Sequence, residues 1–310
     1  MEYREIGKTG MKVSNISFGA SSLGGVFHSL KEESGIEAVY TAVDNGINFI
    51  DVSPYYGHLK AETVLGKALK NIDRKRYYLS TKVGRYGKDG VNYWDYSEKK
   101  AKESVYESME RLNIDYIDLI NIHDIEFSDL EQVCGETLPV LVDLRNEGVV
   151  KHVGITNLNL RHLKYVIDHV PAGTVESILS FCHYTLNDDS LVDYLDYFES
   201  KNIGVINASP YSMGLLTERG IPEWHPAPEA LKRLAKKATE YCKAGKVSIE
   251  QLAVSFSVSN PRIATTLFST TNPENVLKTI QYANTPLDND LLRDIQKIFE
   301  PGFRDTWVNS

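Results

Sequence analysis

Proton transfer beside a carbon–oxygen centre asks for a side chain that can hold or release a proton and for neighbours that tune it. Asp51, Tyr56, Lys82 and His123 have those types. Asp51 and Tyr56 share the segment Asn48-Phe49-Ile50-Asp51-Val52-Ser53-Pro54-Tyr55-Tyr56-Gly57; Lys82 closes Leu79-Ser80-Thr81-Lys82, and His123 closes Leu119-Ile120-Asn121-Ile122-His123. A phenol, with a pKa of about 10, is a poor acid or base at neutral pH. A nearby ammonium favours the phenolate and lowers that pKa, a carboxylate keeps the ammonium charged and in place, and a histidine orients the substrate oxygen. Tuned in this way, Tyr56 deprotonates an alcohol as hydride leaves its carbon, or protonates a carbonyl as hydride arrives. Singly, a strand-end Asp or Lys reads equally as a structural ion pair, and a lone His as a hydrogen-bonded bystander. Four together, each at or just past the end of an apolar run, favour the joint chemical reading.

The elements that must carry them alternate along the chain. Short apolar or β-branched runs at Ile16–Phe18, Asn48–Val52, Tyr77–Lys82, Ile117–Ile122, Lys151–Ile155, Ser177–Phe181, Gly204–Ala208 and Ile263–Leu267 predict eight strands. Helical spacing of apolar residues predicts helices over Gly35–Asn45, Ala61–Leu69, Glu98–Leu112, Glu136–Asn146, Asn159–Asp168, Leu191–Ser200, Pro228–Lys243 with Ser248–Ser259, and Pro273–Ala283. Eight alternations predict a parallel sheet closed into a (β/α)8 TIM barrel, with catalytic residues at the carboxyl ends of the strands. Outside the repeat, Glu2–Val13 predicts a hairpin plugging the barrel bottom, and Leu287–Glu300 an extra C-terminal helix. No low-complexity linker interrupts residues 1–310, so a single barrel domain is expected. An open doubly wound sheet is disfavoured because the first turn, Gly19-Ala20-Ser21-Ser22-Leu23-Gly24-Gly25, does not match GxGxxG.

Composition excludes several functions. With a formal net charge of −8, the chain lacks the basic surplus that nucleic-acid binding demands. No apolar h-region follows Met1, and no run approaches the ~18 apolar residues of a membrane span, so a cytoplasmic protein is expected. Cys134, Cys182 and Cys242 fit neither a disulfide framework nor a metal site, and the histidines show no shared metal-ligand spacing; no metal is expected. Cys182-His183 is rejected as a nucleophile pair because strand neighbours face opposite ways.

These residues resemble the aldo-keto reductase family, whose catalytic tetrad is an Asp-x-x-x-x-Tyr-Gly segment, a strand-end Lys and a strand-end His. The match assigns Asp51, Tyr56, Lys82 and His123, with Tyr56 rather than Tyr55 chosen because it precedes Gly57. The resemblance runs from Arg4-Glu5-Ile6-Gly7-Lys8-Thr9-Gly10 to the last helix. It looks nearest to the L-galactose dehydrogenase-like, aldose 1-dehydrogenase members through Ser53–Gly57, His123–Phe127, Phe181–Tyr184 and Glu223–Ala227.

The resemblance implies an NAD(P) cofactor across the barrel mouth. Thr156 and Asn157 look like the carboxamide-binding segment, Ser209, Tyr211, Met213 and Gly214 like the loop over the pyrophosphate, and Ser269, Thr270 and Asn275 like the adenosine end. The Gln usual near Phe181 and the aromatic often found near Ala208 are missing. The stretch 268–276 contains no cation and holds Glu274, so NAD is expected to be preferred over NADP. Phe27, His28, Trp94, Asp124 and Trp224 are candidate walls for a sugar, whose C–H faces suit aromatic planes; Trp94 and Trp224 read equally as loop packing. The expected activity is NAD-dependent oxidation of an aldose such as L-galactose, L-fucose or D-arabinose to its lactone. Competing readings are a general NAD(P)H-dependent aldehyde reductase and a nicotinamide-binding regulatory subunit like the channel-associated members. The sequence assigns no oligomeric state.

Overall fold

Strands buried on both faces read as continuous apolar runs, and Ile117–Ile122 is buried at all six positions. The structure, a computed structural model, describes residues 1–25, 31–88 and 90–307. Its strands are β1 (Tyr3–Glu5), β2 (Lys12–Ser14), β3 (Ile16–Gly19), β4 (Phe49–Asp51), β5 (Tyr78–Val83) and β6 (Arg85–Lys88). They continue with β7 (Val91–Trp94), β8 (Ile117–Ile122), β9 (Val150–Asn157), β10 (Ser177–Phe181), β11 (Gly204–Ala208) and β12 (Thr265–Phe268). Strands β3, β4, β5, β8, β9, β10, β11 and β12 are hydrogen-bonded in that order and close on themselves as a parallel barrel. All eight expected strands are therefore present and the barrel is closed. A helix lies in each connection between successive barrel strands, two of them (Glu229–Ala244 and Ile249–Ser257) between β11 and β12, and the extra helix Asn289–Phe299 packs on Glu229–Ala244.

The register places the chemistry. Asp51 pairs with Ser80, and Lys82 pairs with Asn121. Side chains two apart share a face, so Ser80 and Lys82 point alike, as do Asn121 and His123. Going from β4 to β5 to β8, each polar residue stands two positions further toward the carboxyl end than the one paired with its predecessor. The stagger of a closed barrel thus brings Asp51, Lys82 and His123 to one rim.

At the opposite end, β1 and β2 form the expected hairpin. Ile6, Met11 and Val13 pack with Phe49, Leu119, Leu179 and Ile206 to seal the barrel floor. The sequence reading left out a second hairpin, β6–β7, which pairs Arg85 with Trp94 and Tyr86 with Tyr93. The helix expected over Glu136–Asn146 begins as a wide turn, Val133–Thr137, before regular winding from Leu138. Among the described residues no helix is long and apolar enough to cross a membrane.

Candidate active site

Lys82 is the most enclosed of the four candidate residues, 1% exposed. Its ammonium donates to Asp51 Oδ1 at 2.5 Å and to the Val52 carbonyl at 2.8 Å. The Ser80 hydroxyl holds the other Asp51 oxygen at 2.8 Å and itself accepts from Asn121 Nδ2 at 2.9 Å. Burial opposes the charge on Lys82, but Asp51 and Tyr56 outweigh it and leave the pKa above its ordinary value. The Lys82 nitrogen lies 4.8 Å from the centroid of the Tyr56 ring.

Tyr56 sits in the turn after β4, and its placement is a backbone matter. The first turn of the helix Lys60–Leu69 anchors it, since Ala61 N–H donates to the Tyr56 carbonyl at 3.2 Å. Gly57 has φ +62°, and a Cβ there would lie 2.1 Å from the carbonyl oxygen of Gly24 in the loop after β3. Only glycine satisfies both demands, which gives the Tyr-Gly pair a physical reason. The hydroxyl's surroundings are enclosed: burial raises the Tyr56 pKa, with Lys82 pulling the other way and Asp51 and Asp124 adding to the rise. This corrects the expectation that the lysine would bring the phenol below its ordinary pKa. The ammonium acts in the expected direction, but desolvation wins.

His123 stands edge-on to Tyr56, ring centroids 5.6 Å apart. Its Nδ1 is 3.0 Å from the Ser53 hydroxyl, and its Nε2 is 3.6 Å from Asp124 Oδ2. Burial, reinforced by Lys82 and Arg85, holds its pKa well below the ordinary histidine value, so the ring is neutral near pH 7. The structure thus brings Asp51, Tyr56, Lys82 and His123 together.

Asp124 was expected as a sugar contact on the pocket wall. Instead it is 4% exposed, with φ +45°, and its carboxylate is ion-paired to Arg85 at 2.5 Å. Arg85 also donates to the Tyr55 hydroxyl at 3.0 Å and lies between the rings of Tyr55 and Phe127. Arg85 therefore belongs to the site, and the sequence reading missed it. The signal was present: an Asp-Gly pair between Tyr86 and Tyr93 is a hairpin signature in the sequence, and the β6–β7 pairing sets Arg85 opposite Trp94.

Thr156 and Asn157 are also differently engaged. The Thr156 hydroxyl accepts from Asp124 N–H at 2.9 Å and donates to its carboxylate at 3.2 Å. Asn157 Oδ1 accepts from Glu126 N–H at 3.3 Å, while its amide nitrogen meets Asn159 O and His162 Nδ1, each at 3.2 Å. Both brace the loop after β8, and no donor is left on either for a carboxamide. Asn157 keeps one lone pair on Oδ1.

The remaining rim candidates line up around β11, β12 and β3. Ser209, Ser212, Met213 and Gly214 all have positive φ, so the loop after β11 turns tightly over the strand ends. It is fixed from three sides: the Ser212 hydroxyl donates to Asn187 Oδ1 at 2.7 Å, the Ser212 carbonyl faces His225 Nε2 at 2.8 Å, and the Tyr211 hydroxyl meets that of Thr279 at 3.2 Å. Arg219, not considered from sequence, places its guanidinium 3.7 Å from where a Cβ on Gly214 would lie. Ser269 Oγ joins Ser22 Oγ at 2.8 Å, tying the end of β12 to the loop after β3. Thr270 Oγ1 accepts from Asn272 N–H at 3.1 Å and lies 3.5 Å from Asn275 Nδ2.

Trp94 is 41% exposed and lies against Phe127, ring centroids 5.2 Å apart, beside the Arg85–Asp124 pair. Trp224 is 51% exposed and stacks on His225, next to the loop after β11. Phe27 and His28 lie outside the described residues. Cys182 is buried, and burial pushes its thiol pKa up; His183 is turned to Asp188 at 2.9 Å and Ser190 at 3.0 Å. Among the described residues no group of three His, Cys, Asp or Glu could hold a metal ion.

Known proteins share this arrangement of chain. The Aldo/keto reductase family model matches residues 15–300. The L-galactose dehydrogenase of Arabidopsis thaliana is 44% identical over 313 residues, covering 99% of this chain and 97% of the relative. The D-arabinose 1-dehydrogenase of Saccharomyces cerevisiae is 33% identical over 229 residues, 70% of this chain and 67% of the relative. Among solved structures, the holo form of an aldo-keto reductase from Bacillus halodurans aligns with a TM-score of 0.82 at 26% identity, covering 96% of each chain.

Proposed function

The chain belongs to the aldo/keto reductase family and is an NAD(P)-dependent oxidoreductase, and we propose that it oxidises an aldose at the anomeric carbon to the lactone, with NAD preferred over NADP. The observation that carries the chemistry is the braced ammonium: Lys82 fixed by Asp51 and Val52, beneath the ring of Tyr56 and within one rim of His123. The sugar class rests on the likeness to L-galactose dehydrogenase and D-arabinose 1-dehydrogenase.

In this reading Tyr56 Oη accepts the proton of the anomeric hydroxyl while the hydrogen on that carbon departs with its electron pair. Bound NAD supplies the hydride acceptor. Tyr56 reacts as the phenolate, whose charge Lys82 stabilises until Oη takes up that proton, and Asp51 keeps the ammonium in place. Neutral His123 hydrogen-bonds the substrate oxygen without competing for its proton. Trp94 and Phe127 offer aromatic surface to the sugar's C–H face, and Arg85 closes the wall behind them.

The rim fits a dinucleotide. The left-handed loop Ser209–Gly214, with Arg219 beside Gly214, suits a diphosphate, and Ser269, Thr270 and Asn275 offer neutral polar groups to an adenosine. The first turn of the helix Pro273–Ala283 carries Glu274 and no cation, an unfavourable setting for a 2′-phosphate dianion. A reducing cytosolic setting suits the three unpaired thiols.

The raised Tyr56 pKa favours a second reading, because a phenol that keeps its proton at neutral pH is better placed to protonate a carbonyl. That is the general NAD(P)H-dependent aldehyde reductase. A steady-state panel of aldoses differing at single carbons, run with NAD and NADP and in the reverse direction with simple aldehydes, separates the two. The expected result is NAD reduction with an L-galactose-like aldose, a higher kcat/KM with NAD than NADP, and loss of turnover in Tyr56→Phe with NAD binding retained. Turnover confined to aldehyde reduction would replace the first reading with the second.

A further inference from the structure

Ser53 is fully buried, and its hydroxyl oxygen makes two hydrogen bonds among the described residues. It accepts from the Tyr55 N–H at 3.1 Å, and it lies 3.0 Å from His123 Nδ1. A hydroxyl has one hydrogen to give. Were Nδ1 protonated, both neighbours would donate to Oγ, and the Ser53 hydrogen would be buried without an acceptor. Placing that hydrogen on a bare Nδ1 satisfies all three groups.

The far side of the ring points the same way from a separate contact. Nε2 faces Asp124 Oδ2 at 3.6 Å, and that carboxylate is fixed by Arg85 at 2.5 Å and by the Thr156 hydroxyl at 3.2 Å. A proton on Nε2 is attracted to the carboxylate, whereas a bare lone pair there would be repelled. The charged groups facing His123 are Lys82, Arg85 and Asp124; the two cations oppose a second proton on the ring.

We propose that Ser53 is a positioning residue that holds His123 as its Nε2–H tautomer, so that the ring presents a hydrogen-bond donor to the substrate oxygen. This rests on the reading of His123 as the residue that orients that oxygen. Through the three residues that close β4 and follow it, one short segment would set the whole site: Asp51 and the Val52 carbonyl fix the ammonium, and Ser53 fixes the imidazole.

The test is a long-range proton–nitrogen correlation spectrum of the histidine rings in the intact protein, with His123→Asn to assign the signal. The wild type is expected to show a protonated Nε2 and a bare Nδ1 at His123. Ser53→Ala should shift the ring toward the other tautomer and lower kcat by roughly tenfold, the size of one neutral hydrogen bond, with KM for NAD unchanged. Ser53→Thr, which keeps the hydroxyl, should restore both. A wild-type ring protonated at Nδ1 overturns the proposal, and so does a Ser53→Ala spectrum identical to wild type. The wild-type spectrum decides even if the alanine variant does not fold. It needs no substrate, so failure of the aldose reading would show only in turnover.

Discussion

Two opposed effects meet at the Tyr56 hydroxyl: burial raises its pKa and the Lys82 ammonium lowers it. Burial prevails, so near neutral pH the folded protein holds a protonated phenol and a charged lysine. Oxidation needs Tyr56 as the phenolate to take up the substrate's proton, so it should quicken as pH rises above neutrality. In Lys82→Met the opposing pull is gone, so the Tyr56 pKa rises further and the alkaline limb of kcat for oxidation moves to higher pH. At neutral pH kcat should fall by about 100-fold or more, the lower range for a lost general-acid or general-base contribution. A pH–rate series on wild type and variant checks this; a limb that moves to lower pH would mean that Lys82 does not act on Tyr56. The residue types and their spacing singled out the four residues that the structure brings together. The balance between the two effects was hidden, because desolvation depends on the tertiary enclosure of the ring, and no local pattern encodes that.

At the scale of elements, the helix Lys60–Leu69 has no side-chain cap at its start, so tertiary contacts must hold the segment that anchors Tyr56. Glu62 is its tie: fully buried, it accepts from the Thr81 hydroxyl on the outer face of β5 and from Arg111 of the helix Glu98–Leu112, each at 2.7 Å. Thr81 faces outward and Lys82 inward, so one strand links this clamp to the ammonium. Glu62→Ala leaves the arginine and the hydroxyl without their partner and should cost about 3 kcal/mol of stability. Glu62→Leu combined with Arg111→Met should recover most of that loss. Chemical denaturation of wild type and the two variants measures it, and a Glu62→Ala protein as stable as wild type would remove Glu62 from this role. Elements of this kind were legible wherever apolar periodicity ran long enough: eight barrel strands and the C-terminal helix follow from it. The β6–β7 hairpin was not, because its sequence carries no apolar stripe; only the Asp-Gly pair in that sequence marked it. Arg85, and with it the burial of Asp124, went unseen for the same reason. Thr156 and Asn157 look open in a sequence because their partners, in the loop after β8, arrive from 30 residues or so upstream.

The whole molecule separates its two ends. The carboxyl rim carries polar groups that are costly to bury, while at the amino end the β1–β2 hairpin packs Ile6, Met11 and Val13 against the barrel floor. The hairpin seats through backbone contact. Gly7 has φ +54°, and a Cβ there would stand 2.5 Å from the amide nitrogen and 2.9 Å from the Cα of Gly204, the first residue of β11. Both atoms belong to the barrel backbone, so the clash cannot be relieved by turning a side chain. Gly7→Ala should therefore lower the free energy of unfolding by about 2 kcal/mol, the scale of overpacking combined with a left-handed backbone at a non-glycine residue. Because the strained floor lies at the far end of the strands from Lys82 and His123, kcat/KM per folded molecule should stay within about twofold of wild type, as expected of well-separated sites. Urea unfolding and steady-state kinetics on the same preparation test the two halves together. A stability equal to wild type would unseat the hairpin as the floor of the barrel. A lowered kcat/KM in fully folded protein would show instead that the floor and the rim are mechanically coupled.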